Sequence, residues 1–124
     1  MNDNAKKWIA DLRSGEFEQG HGYLTRNGED CCLGVACKRY QKEVGDLVVT
    51  TEEIRPGAMV TYYDDERSVL PEKVQLWLGL QSNEGNHKVG ADGSECLSSM
   101  NDSGSSFWEI ASVIESEPEG LFFP

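Results

Sequence analysis

Gly22-Tyr23-Leu24-Thr25-Arg26-Asn27-Gly28-Glu29-Asp30-Cys31-Cys32-Leu33-Gly34-Val35 is the stretch on which the fold turns, because two structural periods meet inside it. Its first part is centred on Asn27-Gly28, a pair that tolerates positive φ, so residues 23–32 read as a β-hairpin. Its second part opens a helix over about 31–43, with Cys32, Leu33, Val35, Ala36, Cys37 and Tyr40 available to a core and Gly45 beyond the end. Asp30 is placed to cap that helix. Gly34 inside a helix costs about 1 kcal/mol relative to alanine, so a close backbone approach is expected there.

Upstream, Ala5, Trp8, Ile9 and Leu12 recur at helical spacing between a cap at Asp3 or Asn4 and a stop at Gly15, which predicts a helix over about 4–14. Downstream, Leu47-Val48-Val49 and Met59-Val60-Thr61-Tyr62-Tyr63 are β-rich and flank a Pro56-Gly57 turn. They are expected to join the hairpin in one sheet. Pro71 opens a short helix over about 71–78, with Val74, Trp77 and Leu78 on one face. Residues 81–95 are polar and glycine-rich and read as a surface loop. Asn101-Asp102-Ser103-Gly104 reads as a turn, after which Ser106 and Glu109 fit a capping box and Phe107, Ile110, Ala111 and Ile114 form a buried stripe. The apolar tail at 118–124, ending Leu121-Phe122-Phe123-Pro124, is expected to dock on the domain or on a partner. With no repeat and no linker, residues 1–124 are predicted to form a single α+β domain, a small antiparallel sheet with about four helices packed on it.

A chain of 124 residues can bury one core without help from disulfides or metal, and 38 % hydrophobic residues argue against disorder. No apolar segment follows Lys6-Lys7 and no apolar run is long enough to span a bilayer, which predicts a protein neither secreted nor membrane-bound. Cys31 and Cys32 are adjacent and Cys37 shares their helix, a poor cross-linking framework, so the thiols are expected to be reduced in a cytosol. The net charge of −11 lies entirely after residue 44: residues 1–44 hold seven basic and seven acidic side chains, residues 45–124 four and fifteen. Such a surface repels nucleic acid and anionic membrane, so a phosphate-bearing ligand would be held by the first third. The acidity also serves solubility alone.

Trp8, Leu12-Arg13-Ser14-Gly15, Gln19-Gly20, Leu24, Cys31-Cys32-Leu33-Gly34-Val35, Leu70-Pro71, Trp77-Leu78-Gly79-Leu80, and Asn101-Asp102 ahead of Phe107 and Ile110-Ala111 follow one another along nearly the whole chain. In this pattern the chain resembles a widespread group of small phage and prophage proteins. Its most specific elements are the Cys-Cys-Leu-Gly-Val segment and the Asn-Asp pair before the last helix. Ala36-Cys37 and Met100 stand where the group leads one to expect larger or leucine-type residues. The resemblance implies a viral accessory protein acting in a bacterial cytosol, and it hands over no catalytic residues. Its context implies action against host machinery or host defence.

Three chemistries compete for the polar residues. A cysteine in the first turn of a helix feels the positive end of the macrodipole, so Cys31 or Cys32 is a candidate nucleophile, with His21 or His87 as base and Asn101 or Asp102 as orienting group. The competing role for both thiols is packing. A metal site would draw on Cys31, Cys32, Cys37, Cys96, His21 and His87, but adjacent cysteines followed by a four-residue gap match no zinc knuckle, and no metal is expected. An anion or nucleotide pocket would use Gln19, Gly20, His21 and Gly22 as a flexible polar wall, with N–H donors at the Cys32 helix start, close approach at Gly34, and Asn101 and Asp102 facing it. Arg26 would supply counter-charge, as would Arg13, Lys38 or Arg39, and Tyr23, Trp8 or Trp77 a stacking face. Those glycines serve a tight hairpin equally well. Asp64-Asp65-Glu66 and the acids from Glu115 to Glu119 read either as a solvated face or as a phosphate mimic.

The expected function is a non-enzymatic phage accessory protein that binds and blocks or sequesters a host component, such as a phosphate-bearing nucleotide signal of a defence system, in the cytoplasm of the bacterial host. One alternative is a hydrolase of such a signal, with Cys31, Cys32, His21 and Asp102 as candidate catalytic groups. Another is an acidic nucleic-acid mimic that binds a host DNA-binding protein. The expected partners are a host protein or a small nucleotide, with no cofactor, no membrane and no direct nucleic-acid binding; a homo-oligomer stays open.

Overall fold

A computed structural model describes residues 1–124. Strand β1 (Thr25–Arg26) turns through Asn27 (φ 51°) and Gly28 (φ 78°) into β2 (Glu29–Asp30), with Thr25 opposite Asp30 and Arg26 opposite Glu29. Two consecutive positive φ values are what a two-residue turn needs to follow the twist of its strands. Helix α2 (Cys32–Glu43) follows at once and buries Cys32, Leu33, Gly34, Val35, Ala36, Cys37 and Tyr40. The glycine in that run has a clear reason: a Cβ on Gly34 would stand 1.9 Å from the Leu24 carbonyl oxygen. The same oxygen accepts the Cys31 N–H at 3.1 Å. The helix start therefore rests directly on the chain entering the hairpin.

Helix α1 (Asp3–Arg13) buries Ala5, Trp8, Ile9 and Leu12, and the Trp8 indole N–H donates to the Cys32 carbonyl at 2.9 Å. Asn2, one residue before the expected caps, accepts the Ala5 N–H. Strands β3 (Val49–Arg55) and β4 (Ala58–Tyr63) pair with the hairpin in an antiparallel sheet of order β2-β1-β4-β3. Helix α3 (Glu72–Leu78) ends at Gly79 in the left-handed region, the backbone that glycine adopts without strain. Helix α5 (Phe107–Glu115) opens on the expected capping box, with Ser106 and Glu109 bonding reciprocally. The architecture is α+β, with α1, α2, α4 (Leu97–Asp102) and α5 sharing one core of which Trp8, Leu33, Leu97, Ile110 and Ile114 are fully buried members.

Three details depart from the sequence reading. Residues 81–95 hold most of a second hairpin, β5 (Asn86–Val89) and β6 (Gly93–Cys96), rather than only loop. Only His87 of β5 is buried, so no apolar alternation marks the strands. Asn101-Asp102 closes the short helix α4 instead of forming a turn, bringing the helices to five. Its buried positions, Leu97 and Asn101, have helical spacing, but one is polar and the apolar period is lost. Asp30 does not cap α2. Cys31 occupies that position without a side-chain bond, and the Asp30 carboxylate accepts instead from Thr25 Oγ1 at 2.5 Å and Lys38 Nζ at 2.7 Å. The tail lies on the domain, with Leu121 buried and the Phe123 N–H donating to the Gly79 carbonyl at 2.9 Å.

Candidate anion-binding cleft

Gln19, Gly20, Gly22, Cys32, Asn101 and Asp102 meet around one side chain. Asn101 is fully buried, and its Oδ1 accepts from Gln19 Nε2 at 2.9 Å and from the Cys32 N–H at 3.2 Å. Its Nδ2 donates to the Gly20 carbonyl at 2.8 Å and to Asp102 Oδ1 at 3.3 Å. Gln19 Nε2 also donates to the Ser105 carbonyl, and the Gly22 N–H donates to Asp102 Oδ1 at 2.9 Å. A primary amide has two donors and two acceptor lone pairs, and here all are used. Asn101 is thus a clamp that ties α4, the 19–22 segment and the start of α2 together.

The clamp changes the role of several expected ligand groups. The Cys32 N–H is bound to Asn101, while the Leu33 and Gly34 N–H groups face the Cys31 thiol, so the start of α2 presents no free anion-binding edge. Cys32 and Gly34 are buried and Gly34 packs on Leu24, which keeps both from a ligand in solvent.

Outside the clamp lies a polar cleft of about 260 Å³ lined by Gly20, His21, Arg26, Asn27 and Glu29. Gly20 forms its wall by close packing, since a Cβ there would stand 2.9 Å from Glu29 Cβ. The Gly20 N–H donates to the Asp30 carbonyl at 2.7 Å, and the Asp30 N–H to the Glu18 carbonyl at 2.8 Å, so the segment is stitched to β2. Asn27 is engaged on both sides of its amide, with the Met59 N–H and the Gly57 carbonyl. His21 is exposed. Arg13 pairs with Glu115 and Arg39 with Asp11 and Glu43, whereas Arg26 is in no ion pair; the Nε of Arg26, like that of Arg13, is buried without a partner. That Nε is closed to solvent, so an oxyanion in the cleft would meet Arg26 through its terminal amino groups, which make no bond within the protein. Asn27 and Glu29 were not among the expected site residues. Strand alternation was the available signal, since it places Arg26 and its register partner Glu29 on one face.

The thiols are placed for packing. Burial outweighs the Leu33 and Gly34 N–H groups and pushes Cys31 up to about 11, and burial raises Cys32 and Cys37 well above the ordinary thiol range. Nearby Asp102 adds to the rise at Cys31, and its Oδ1 accepts from the Gly22 N–H and from Asn101. The six cysteine and histidine side chains considered for a metal do not gather into a metal-holding group. Iodoacetamide on the native protein at pH 8 is expected to label half-buried Cys96 and leave Cys31, Cys32 and Cys37 intact by peptide mass mapping. Cys31 labelling as fast as free cysteine contradicts this assignment.

Much of the acidic surface is tied down. Asp64 accepts the Val48 N–H and pairs with Lys73, Glu115 with Arg13, Glu117 with the N-terminal amine and Glu119 with Lys88. Asp65 and Glu66 are in no ion pair, so the two acidic segments are part paired and part free. No helix is long and apolar enough to cross a membrane. No curated protein and no solved structure matches the chain. One family model does, over residues 1–118, and with nearly the whole domain matched the chain belongs to DUF8296, a domain of unknown function.

Proposed function

We propose that this DUF8296 domain is a non-enzymatic binding protein that holds a phosphate-bearing nucleotide signal in the Arg26 cleft. The single observation that supports this most is the Arg26 guanidinium, which lines a polar cleft and has no ion-pair or hydrogen-bond partner within the protein. Arg26 shares the cleft with Glu29, and because the excess negative charge lies after residue 44, an anion meets less repulsion at the hairpin than over the rest of the chain. A cleft of about 260 Å³ takes the phosphate end of a nucleotide and leaves the base outside. Burial raises the Cys31, Cys32 and Cys37 thiols away from the thiolate form, which favours retention of the ligand over its cleavage by a cysteine nucleophile. The phage origin, the anti-defence role and the host cytoplasm rest on the resemblance in the Cys-Cys-Leu-Gly-Val and Asn-Asp segments.

The test is calorimetric titration of the protein and of Arg26→Gln with ADP-ribose and cyclic dinucleotides. The substitution is expected to weaken binding at least about tenfold, and to leave the unfolding midpoint nearly unchanged because the Arg26 side chain makes no hydrogen bond or ion pair within the protein. Equal affinity of the two proteins for every ligand that binds refutes the assignment of the site.

A further inference from the structure

A separate cleft of about 430 Å³ lies between the β5–β6 hairpin and helices α4 and α5, and shares no residue with the Arg26 cleft. Val89, Met100, Val113 and Pro118 give it apolar walls. Its polar content is specific. His87 is 5 % exposed, lines the cleft, and holds its Nδ1 3.0 Å from the Gly85 carbonyl. A carbonyl only accepts, so Nδ1 carries a proton, and in the neutral imidazole the lone pair is then on Nε2, for which the protein supplies no donor. The tautomer is held by packing, because Gly85 sits against Leu97 with no room for a Cβ, and its carbonyl also accepts the Leu97 N–H. Glu95, directly opposite His87 in the hairpin register, is in no ion pair, whereas Lys88 is turned to Glu119 at 3.2 Å. The cleft thus offers two acceptors, one of them charged, above an apolar floor.

We propose that this cleft is a binding site for a small apolar amine, its ammonium group at Glu95, a second N–H at His87 Nε2, and its hydrocarbon or aromatic body between Met100 and Val113. Apolar burial supplies the affinity and the two acceptors select a cation with donors over an anion of the same shape. Nothing in this assignment depends on the nucleotide reading of the other cleft.

Tryptamine is a suitable probe, with indole-3-acetate as an anionic compound of the same ring, in titrations followed by amide chemical shifts of the full chain. Saturable shifts centred on Val89, Met100 and Val113 are expected with tryptamine, and about tenfold weaker binding with indole-3-acetate. Glu95→Gln, on an exposed side chain, is expected to weaken tryptamine by a similar factor without changing the unfolding midpoint. Val113→Trp, which fills the cleft while keeping the His87–Gly85 bond, is expected to abolish binding. Shifts that do not saturate, equal binding of the two indoles, or unchanged tryptamine affinity in either variant overturn the proposal.

Discussion

Asn101→Ala is expected to lower the unfolding free energy by about 3–5 kcal/mol, among the larger effects a single substitution produces. The loss is not that of one hydrogen bond. Removing the amide leaves the Cys32 N–H and the Gly20 carbonyl without partners in the interior, and takes one of two acceptors from Gln19 Nε2. Each of the two stranded groups costs about 1–3 kcal/mol, and they act through one junction with the weakened Gln19 contact. Asn101→Asp is nearly isosteric and should also fail, because it replaces the Nδ2 donor with an acceptor facing the Gly20 carbonyl and the Asp102 carboxylate. Equilibrium urea unfolding of the three proteins measures this. A loss below about 1 kcal/mol for Asn101→Ala contradicts the clamp.

Gly34→Ala separates two opposed effects by sign. Helix propensity alone favours alanine by about 1 kcal/mol. Packing opposes it, since the added Cβ would lie 1.9 Å from the Leu24 oxygen and 2.7 Å from the Leu24 carbonyl carbon, and neither is the tip of a flexible side chain. Relief requires α2 to move off the hairpin, which stretches the Cys31–Leu24 and Cys32–Asn101 bonds together. Strain of this kind outweighs the propensity gain, and a net loss of about 3 kcal/mol is expected. A lowered midpoint in thermal and urea unfolding bears this out. A raised midpoint would mean that the backbone approach at Leu24 is not fixed.

Where local chemistry has one solution, the chain states its fold openly. Asn27-Gly28 demands its turn, Ser106 and Glu109 can only cap, and a glycine inside the apolar stripe of α2 calls for a neighbour too close for a Cβ. Where a polar residue does the work of the core, the periodic signal disappears. Asn101 hides α4, and His87 hides β5, because each occupies a buried position that apolar counting assigns to solvent. Asp30 shows a related failure. Its place before a helix is that of a cap, but Thr25 on the adjacent strand and Lys38 two turns along α2 compete for the same carboxylate and win.

The site was legible in the same uneven way. Gln19, Gly20, Gly22, Asn101 and Asp102 do gather, and Arg26 does line a cleft beside them. What no spacing reveals is how the hydrogen bonds are shared. Asn101 and the Cys32 N–H are fully engaged inside, and Arg26 is left with nothing, a distinction that exists only once residues some eighty positions apart have met. The Cys31-Cys32 pair likewise looks reactive beside a helix dipole until burial is weighed, and burial is the stronger influence.

The central claim is that the Arg26 cleft holds a nucleotide without transforming it. The direct measurement is incubation of the protein, and of Arg26→Gln, with the nucleotide that binds, followed by denaturation and chromatography of the released small molecules. The wild-type protein is expected to retain the nucleotide through gel filtration and return it chemically intact, and Arg26→Gln to carry none through the column. New products from the wild-type protein, or equal retention by Arg26→Gln, would contradict it.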